Sequence, residues 1–587
     1  MAAKPKLELT WIGKNNRARL EPRIFIEEPE FSHYSSSRRE GDIFENMLIH
    51  GDNLLALKAL ESTHSEAVQA VYIDPPFNTG EAFEHYDDGV EHSLWLTLMR
   101  DRLEILHKLL KPSGTMFVHI DDNELAYLIT VADEIFGRKN RISICSFKQS
   151  SVSGPKSRNP GVISIASYIV IYAKDKPKWK NHNTYRAIGR DVRYGQFIRN
   201  YEENFRDWEF IPLSSGVEQI TGKSFKVWES SSGKNFERDM ERFVIANRHR
   251  IVQLVSVADK DVNADAREAL SNSRTSGKVE CSARVDLDDY YFFNGKQIVF
   301  YKNKVRNIDG NLTTVERVSN IWDDLLSNNV HKEGGVRLPN GKKPEALIRR
   351  CLMMSTDPGD LVLDSFLGSG TTCAVAHKMK RRWIGIELRD HAKTHCATRL
   401  ESVVNGTDTS GISSAVDWKG GGGYRFLRLA PSLLQKDVWG NWVISKDYNA
   451  EMLAEAMCKH FNYFYAPSKK AFWMHGQSSE NAFIYVTTAS LTLEQLRAIS
   501  DDVGEERSLL ICCMAYEAQG EILTNLTLRK IPRMVLDRCE WGQDDYSMKI
   551  HALPMAEDDE IDHTPVPKKP AKASAAGTAD LFSVTED

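Results

Sequence analysis

The sequence predicts an α/β fold whose parallel sheet is interrupted by an insertion and followed by a separate α+β C-terminal domain. Short apolar segments of strand length alternate with helical patterns between Asn46 and Tyr172. This alternation is typical of a parallel sheet covered by helices, and it resumes at Asp360. Between Lys174 and about Val318 it gives way to polar sequence with scattered aromatic residues. One α/β domain built from two distant parts of the chain explains this pattern.

Each predicted element in the first part of this domain has a local cause. Residues 68–73 are mostly apolar, and their strand ends at Asp74 because Pro75 and Pro76 cannot donate hydrogen bonds to a sheet. Leucines recur at helical spacing from Leu54 and again from Leu94. The predicted strands are 47–50, 68–73, 115–120 and 168–172. Two helices are predicted, one that begins near Leu54 and one that spans 93–110.

The second part of the domain repeats a strand, a glycine turn, a helix and a strand. They are predicted at 361–364, 368–370, 371–380 and 383–386. A new apolar pattern begins after the glycines at 420–423, and the end of the chain has the composition of a disordered tail. These changes divide the chain into 1–44, 45–175, 176–317, 318–425, 426–555 and 556–587.

Composition excludes several protein classes. With 41% hydrophobic and 27% charged residues, the chain is not globally disordered. It has no apolar run of about 18 residues and no secretory signal pattern, so we predict a cytoplasmic protein without membrane contact. The nine cysteines include no C-x-x-C pair, and the histidines lack metal-ligand spacing, so no metal site is expected. The net charge of -5, taken alone, argues against nucleic acid as a partner.

The glycine turn predicts a cofactor site. Gly368 and Gly370 follow the strand that ends at Asp364, and they allow the backbone to turn sharply and approach a ligand. Glu387 lies 23 residues after Asp364, at the end of the next strand, where an acid can accept hydrogen bonds from a ribose diol. A phosphate-binding Walker A loop is disfavoured because Gly370 is followed by Thr371 and Thr372 rather than by lysine.

A second motif, Asp74-Pro75-Pro76-Phe77, predicts chemistry on an exocyclic amine. It follows a buried strand and would lie at the ligand crevice of an α/β sheet. A carboxylate and a backbone carbonyl can accept the two amine hydrogens, which turns the nitrogen lone pair toward an electrophile. Phe77 would stack on the base. Without its partner motif, Asp-Pro-Pro is as easily a simple turn.

Together the two motifs resemble the catalytic and S-adenosyl-L-methionine (AdoMet) motifs of amino-group DNA methyltransferases. The catalytic motif comes first, with the insertion between the two, which is the order of the β class. The resemblance is narrower to the modification subunits of type III restriction–modification systems, and it covers roughly residues 45–175 and 315–430. It rests on the segments Gly51-Asp52-Asn53, Asp74 to Gly80, Lys343-Pro344-Glu345 and Gly420 to Arg425. It implies a Rossmann-like, doubly wound, AdoMet-dependent methyltransferase core with a circularly permuted motif order.

The resemblance also implies a role for each matching residue. Asp74, Pro75, Pro76 and Phe77 become the catalytic motif, although type III subunits usually have tyrosine where this chain has Phe77. The groups implied around the methionine part of AdoMet are Asp364, Phe366, Gly368, Gly370, Thr371 and Thr372, with Glu387 on the ribose. Asp52, next to Asn53, would accept a hydrogen bond from the cofactor adenine. Lys343 and Pro344 would close over the methionine end.

The insertion changes the meaning of the net charge. Residues 138–250 contain 22 Lys and Arg against 11 Asp and Glu, a local excess of eleven positive charges. Basic residues neutralise phosphates, and interleaved aromatic residues can reach bases, although each aromatic residue is more simply explained as core. Because it lies between the halves of the core, the segment 176–317 resembles the family's target-recognition domain.

The sequence therefore predicts site-specific methylation of a flipped-out adenine at N6 in duplex DNA, within a restriction–modification or phage-defence system. Cytosine N4 remains an alternative because the amine chemistry is the same. A sequence-reading scaffold, or a methyltransferase of RNA or protein, is a further alternative. The resemblance also implies a homodimer that associates with a helicase–nuclease restriction subunit. For residues 426–555 we predict partner docking.

Overall fold

An 11-stranded sheet forms the centre of the molecule. The computed structural model describes residues 8–76, 88–150, 161–325, 330–338, 342–517 and 523–547. Phe77 and the predicted tail 556–587 lie outside these residues. In spatial order the strands are Phe25–Glu27, Gly423–Leu429, Asn46–His50, Arg382–Glu387, Leu361–Asp364, Val68–Ile73, Leu110–Ile120, Ala166–Ala173, Arg141–Lys148 and Ile321–Trp322, with His33–Tyr34 also paired to Gly423–Leu429.

The sheet is mixed rather than purely parallel. The six strands from Gly423–Leu429 to Leu110–Ile120 run parallel to one another. Ala166–Ala173 is antiparallel to both of its neighbours, Leu110–Ile120 and Arg141–Lys148. The predicted α/β fold is confirmed, but the prediction of a parallel sheet is corrected. An apolar run indicates that a strand is buried, but it does not indicate whether the strand runs parallel or antiparallel to its neighbours.

Helices cover the central sheet. They are Asn53–His64, Asp88–Leu109, Leu125–Ala132, Glu345–Met353, Thr371–Lys378 and Thr398–Val404, with π-helical turns at Asp133–Gly137 and Ala392–Ala397. The strands Val68–Ile73 and Leu361–Asp364 have the predicted bounds. Three predicted bounds are corrected: the helix expected over 93–110 is Asp88–Leu109, the one expected over 371–380 ends at Lys378, and the strand expected at 115–120 begins at Leu110.

Close packing of a helix on the sheet requires a glycine at position 385. The helix Thr371–Lys378 packs on the strand Arg382–Glu387 within a cluster of buried residues that includes Cys373 and Leu367. A Cβ at Gly385 would lie 2.5 Å from Cys373 Sγ and 2.6 Å from Leu367 Cδ2. Only a residue without a side chain lets the glycine loop and its helix lie this close to the strand.

Residues between Lys176 and Arg317 form two smaller sheets with their own helices. The six-stranded sheet contains, in spatial order, Phe210–Pro212, Gln196–Ile198, Ile251–Ser256, Lys296–Phe300, Tyr290–Phe293 and Glu280–Ser282, and the three-stranded one contains Val305–Ile308, Asn311–Arg317 and Tyr185–Ala187. The helices are Leu213–Thr221, Phe225–Ser232, Phe236–Ala246 and Ala264–Ser276. Most of the aromatic residues pack into two buried clusters around Phe197 and Val252.

The C-terminal part has a five-stranded sheet of its own. In spatial order its strands are Phe464–Tyr465, Gly476–Ser479, Ala482–Val486, Ser508–Cys513 and Leu526–Lys530, with helices Ala450–His460 and Leu493–Val503. Two-stranded pairs join Leu434–Lys436 to Trp442–Ile444 and Ser490–Leu491 to Ala515–Tyr516. Ile24 of the N-terminal arm is buried in this part's core beside Leu453 and Met457. Among the described residues, no helix is both long enough and apolar enough to span a membrane.

We predict that Gly385→Ala destabilises the protein. The new Cβ would force the helix and the loop apart, and overpacking of this kind costs about 1–3 kcal/mol. Gly189→Ala is the matched control, since nothing lies within 4 Å of a Cβ at that position. Thermal unfolding should show a lower midpoint for the first variant and an unchanged midpoint for the second. Equal midpoints would contradict the packing explanation.

Candidate active site

Four acidic residues lie at the carboxyl ends of neighbouring parallel strands. Asp74, Asp364, Glu387 and Asp52 end or directly follow the strands Val68–Ile73, Leu361–Asp364, Arg382–Glu387 and Asn46–His50. The carboxyl ends of parallel strands meet at one edge of a sheet, which is where α/β proteins bind ligands. The structure therefore brings both predicted motifs to the same crevice.

The glycine loop is held on two of these acids. Gly368 and Gly370 have φ values of 58° and 78°, a conformation that glycine adopts without strain. The Phe366 amide donates to Asp364 Oδ1 at 2.9 Å, and the Gly368 amide donates to Glu387 Oε2 at 2.7 Å. The helix Thr371–Lys378 begins directly after the loop, and the side chains of Thr371 and Thr372 are buried.

Burial disfavours the ionised forms of Asp364 and Glu387, the two acids under the glycine loop. It raises the pKa of Asp364 to about 7, and the neighbouring charges of Asp74 and Glu387 add to the rise, while hydrogen bonds from Thr372 and the Phe366 amide oppose it. Burial also raises the pKa of Glu387. A positively charged ligand at this edge would restore the ionised form of both acids, so the site favours cationic ligands.

Asp74 is paired with Lys343 through one carboxylate oxygen. Asp74 Oδ2 lies 2.7 Å from Lys343 Nζ, and the Asp74 side chain is 18% exposed. Burial raises the pKa of Asp74, and the Lys343 ammonium opposes that rise. Among the described residues, Asp74 Oδ1 is buried and accepts no hydrogen bond. The carboxylate therefore has one neutralised oxygen and one that can accept from a substrate.

The sequence did not single out the polar residues beneath Asp74. His119 lies at the end of the next strand, with Nδ1 4.0 Å from Asp74 Oδ1. Its ring forms hydrogen bonds with Tyr72 Oη through Nδ1 at 3.0 Å and with Ser167 Oγ through Nε2 at 2.7 Å. Burial lowers the pKa of His119 well below its usual value, so the imidazole is neutral. The sequence offered one signal for His119, which is its position near the end of the strand Leu110–Ile120, the neighbour of Val68–Ile73.

Trp95 holds the proline motif from the helix Asp88–Leu109. Its indole N–H donates to the carbonyl of Pro76 at 2.9 Å, and its side chain is fully buried. The Trp95 ring also packs in the hydrophobic core. The contact gives that packing a further consequence, because it engages the Pro76 carbonyl and leaves that of Pro75 as the motif's candidate acceptor.

Asp52 serves as a helix cap at the opposite end of the crevice. Its Oδ1 accepts from the Leu55 amide at 3.0 Å at the start of the helix Asn53–His64, and its Oδ2 accepts from the Tyr546 amide at 3.0 Å. Asn53 donates to the carbonyl of Ser365 at 2.7 Å, which connects this motif to the glycine loop. The buried side chain of Arg102 donates to Asn53 Oδ1 at 2.5 Å.

A fully buried ion network supports the loop and Lys343 together. Glu345 follows Lys343 and Pro344 at the start of the helix Glu345–Met353. Its carboxylate lies 2.7 Å from Arg399 and 2.8 Å from Lys378, and none of the three side chains is exposed. Arg399 also donates to Thr371 Oγ1 at 2.8 Å. Displacement of this network would disturb the glycine loop and the partner of Asp74 at once.

Comparisons with known proteins point to one family. A family model described as DNA methylase, of the N6/N4 type, matches residues 68–398. The probable HindVI Mod subunit of a type III restriction-modification enzyme from Haemophilus influenzae is 34% identical over 67% of this chain and 55% of its own length. The EcoPI Mod subunit, also of a type III enzyme, from Escherichia phage P1 is 28% identical over 64% of this chain and 62% of its own length.

The name of a third relative states which DNA base it methylates. The DNA adenine methyltransferase YhdJ of Escherichia coli is 23% identical over 58% of this chain and 78% of its own length. In the two Mod subunits the matched region spans little more than half of the relative.

We predict that Arg399→Met strongly destabilises the protein. The change removes a partner from buried Glu345, and breaking a buried pair costs about 3–5 kcal/mol. Arg199→Met is the control, because the Arg199–Glu209 pair is 3.4 Å apart and both side chains are about 60% exposed, so its loss should cost less than about 1 kcal/mol. Urea unfolding followed by tryptophan fluorescence should separate the two variants. Similar midpoints would show that the network contributes little.

Proposed function

The chain belongs to the N6/N4 DNA methylase family, and on this basis we propose that it transfers a methyl group from AdoMet to the N6 amine of adenine at specific sites in duplex DNA. One observation supports this most directly. Asp74 presents an oxygen without a hydrogen-bond partner among the described residues, at the same sheet edge as the glycine loop. An acceptor for an amine and a cofactor loop at one crevice are what this chemistry requires.

The residues at the sheet edge fit AdoMet. Asp364 is buried and Glu387 is partly buried, and a cationic ligand would stabilise the ionised form of both; the Ser365 hydroxyl is buried without a hydrogen-bond partner among the described residues. We assign the loop with Asp364, Phe366, Gly368, Gly370, Thr371 and Thr372 to the methionine part, Glu387 to the ribose and Asp52 to the adenine. When bound, AdoMet would supply an electrophilic methyl group.

Asp74 would act on the target amine. Its Oδ1, together with the Pro75 carbonyl, would accept the two amine hydrogens and turn the nitrogen lone pair outward. Lys343 holds the other oxygen, and its ammonium opposes the rise that burial causes in the pKa of Asp74. Neutral His119, which is fixed by hydrogen bonds with Tyr72 and Ser167, lies 4.0 Å from Asp74 Oδ1. Phe77 would stack on the flipped base.

The insertion 176–317 would bind and read the DNA. It exposes Lys223, Lys226 and Lys234 on and between its helices, and these side chains suit contacts with phosphates. Several arginines are paired with acids, as Arg199 is with Glu209, and most aromatic residues lie in the cores of the insertion. Non-specific affinity would therefore come from a subset of the basic residues.

We also propose that the chain is the modification subunit of a type III system. The two relatives named as Mod subunits support this, since a subunit of a restriction–modification enzyme implies a restriction partner. We extend the proposal to a homodimer, and to partner docking by residues 426–555. In that part Phe464 and Phe472 are each 64% exposed, which suits contact with another protein.

We predict that Asp74→Ala abolishes methyl transfer and leaves DNA binding intact. Loss of the acceptor should lower the rate by about two orders of magnitude or more. Unmethylated DNA is incubated with methyl-labelled AdoMet and hydrolysed to nucleosides, and wild-type label should appear in N6-methyladenine. Glu480→Ala, a change of an exposed acid between two strands of the C-terminal sheet, should keep the wild-type rate. Label in N4-methylcytosine would overturn the adenine assignment, and a wild type that neither binds AdoMet nor transfers label would favour a scaffold.

We predict that AdoMet affinity falls as the pH drops below about 7. The ionised form of Asp364 attracts the cationic cofactor, and with a pKa of about 7 this form is lost by protonation at lower pH. Affinity should decrease by up to about tenfold per pH unit in this range, and cofactor binding should release protons near pH 7. Equilibrium dialysis across pH 5.5–8.5, about one and a half units on either side of that pKa, measures the effect. Asp364→Asn should bind weakly at every pH, without this dependence.

A further inference from the structure

A C-terminal segment lies on the residue assigned to the cofactor adenine. The Tyr546 amide donates to Asp52 Oδ2 at 3.0 Å, while the other oxygen accepts from the Leu55 amide at 3.0 Å. Asp52 is 2% exposed. Both oxygens of this carboxylate are therefore engaged by the chain itself, one by the helix it caps and one by a residue nearly 500 positions later.

Two buried arginines fix this segment, which we define as residues 543–547. Arg102 donates to the Tyr546 carbonyl at 3.2 Å. Arg23 donates to the Gln543 carbonyl at 2.8 Å and lies 2.6 Å from the carboxylate of Asp544. Both arginines are at most 2% exposed. Because Arg23 and Arg102 come from two distant parts of the chain, their contacts form a specific binding site, or seat, for this segment.

We propose that residues 543–547 are an intramolecular competitor of AdoMet and must leave Asp52 before the cofactor adenine can bind. This rests on the proposed function, in which Asp52 accepts the adenine amino group. A peptide N–H and an exocyclic amine are donors of the same kind, and only one of them can occupy the position facing Asp52 Oδ2. The protein then exchanges between a closed form, with Tyr546 on Asp52, and an open form that binds AdoMet.

The segment is also connected to the cofactor loop. Arg102, which holds Tyr546, donates to Asn53, and Asn53 donates to the carbonyl of Ser365 beside the loop. Release of the segment removes one partner of Arg102. The arginine keeps Asn53, the Leu98 carbonyl and Asp52, whose Oδ2 lies 3.6 Å away. The same arginine therefore contacts the closed segment and the frame of the site.

Competition of this kind lowers the apparent affinity by the fraction of molecules that are open. Tyr546→Pro in the full chain removes the N–H donor, and Tyr546→Phe retains it as the matched control. Asp544→Lys weakens the seat without touching Asp52, because it places a positive charge beside Arg23. The Kd for AdoMet, measured by titration calorimetry, should fall by about tenfold in Tyr546→Pro and in Asp544→Lys, the effect of one hydrogen bond to a charged group. Tyr546→Phe should match the wild type.

A second measurement separates competition from a structural role. Hydrogen exchange at the Tyr546 amide should be slow in the wild type and accelerate when AdoMet saturates the protein. Unchanged or weaker AdoMet binding in both releasing variants would overturn the competition while leaving the proposed function intact, and so would an amide that stays protected with AdoMet bound. Failure of the wild type and of every variant to bind AdoMet would overturn both.

Discussion

The parallel register of four neighbouring strands is the constraint on which the site depends. Because Asn46–His50, Arg382–Glu387, Leu361–Asp364 and Val68–Ile73 run in one direction, the acids that end or follow them share one edge of the sheet. Two of these strands precede the insertion and two follow it. The proposed active site therefore exists only after parts of the chain separated by about 300 residues have paired.

Collecting acids at one buried edge has an electrostatic cost that the molecule offsets in two ways. Lys343 lies on Asp74, and backbone amides of the glycine loop and of a helix start donate to Asp364, Glu387 and Asp52. The remaining cost shows in the raised pKa values of the acids under the loop. A cationic cofactor would remove this cost, so the charge at this edge favours such a ligand.

The residues that hold the site in position lie outside the proline motif and the glycine loop. Glu345, Lys378 and Arg399 are fully buried charges that connect the glycine loop to the segment carrying Lys343. Removing one of them would leave another buried charge without its partner. A network of this kind fixes the loop and the Asp74–Lys343 pair relative to each other, which suits the proposed reaction because it needs two ligands aligned.

Local sequence determined the elements and motifs, and tertiary structure determined their partners. Proline stops, glycine turns and apolar runs placed the strands Val68–Ile73 and Leu361–Asp364 and the acids beside them, because these signals act within a few residues. Three contacts had no local signal: Tyr72 with His119, Thr371 with Arg399, and Asp52 with Tyr546. They join residues 47, 28 and 494 positions apart. Strand direction and the partners of buried charges follow from the packing of distant segments, which a local pattern does not encode.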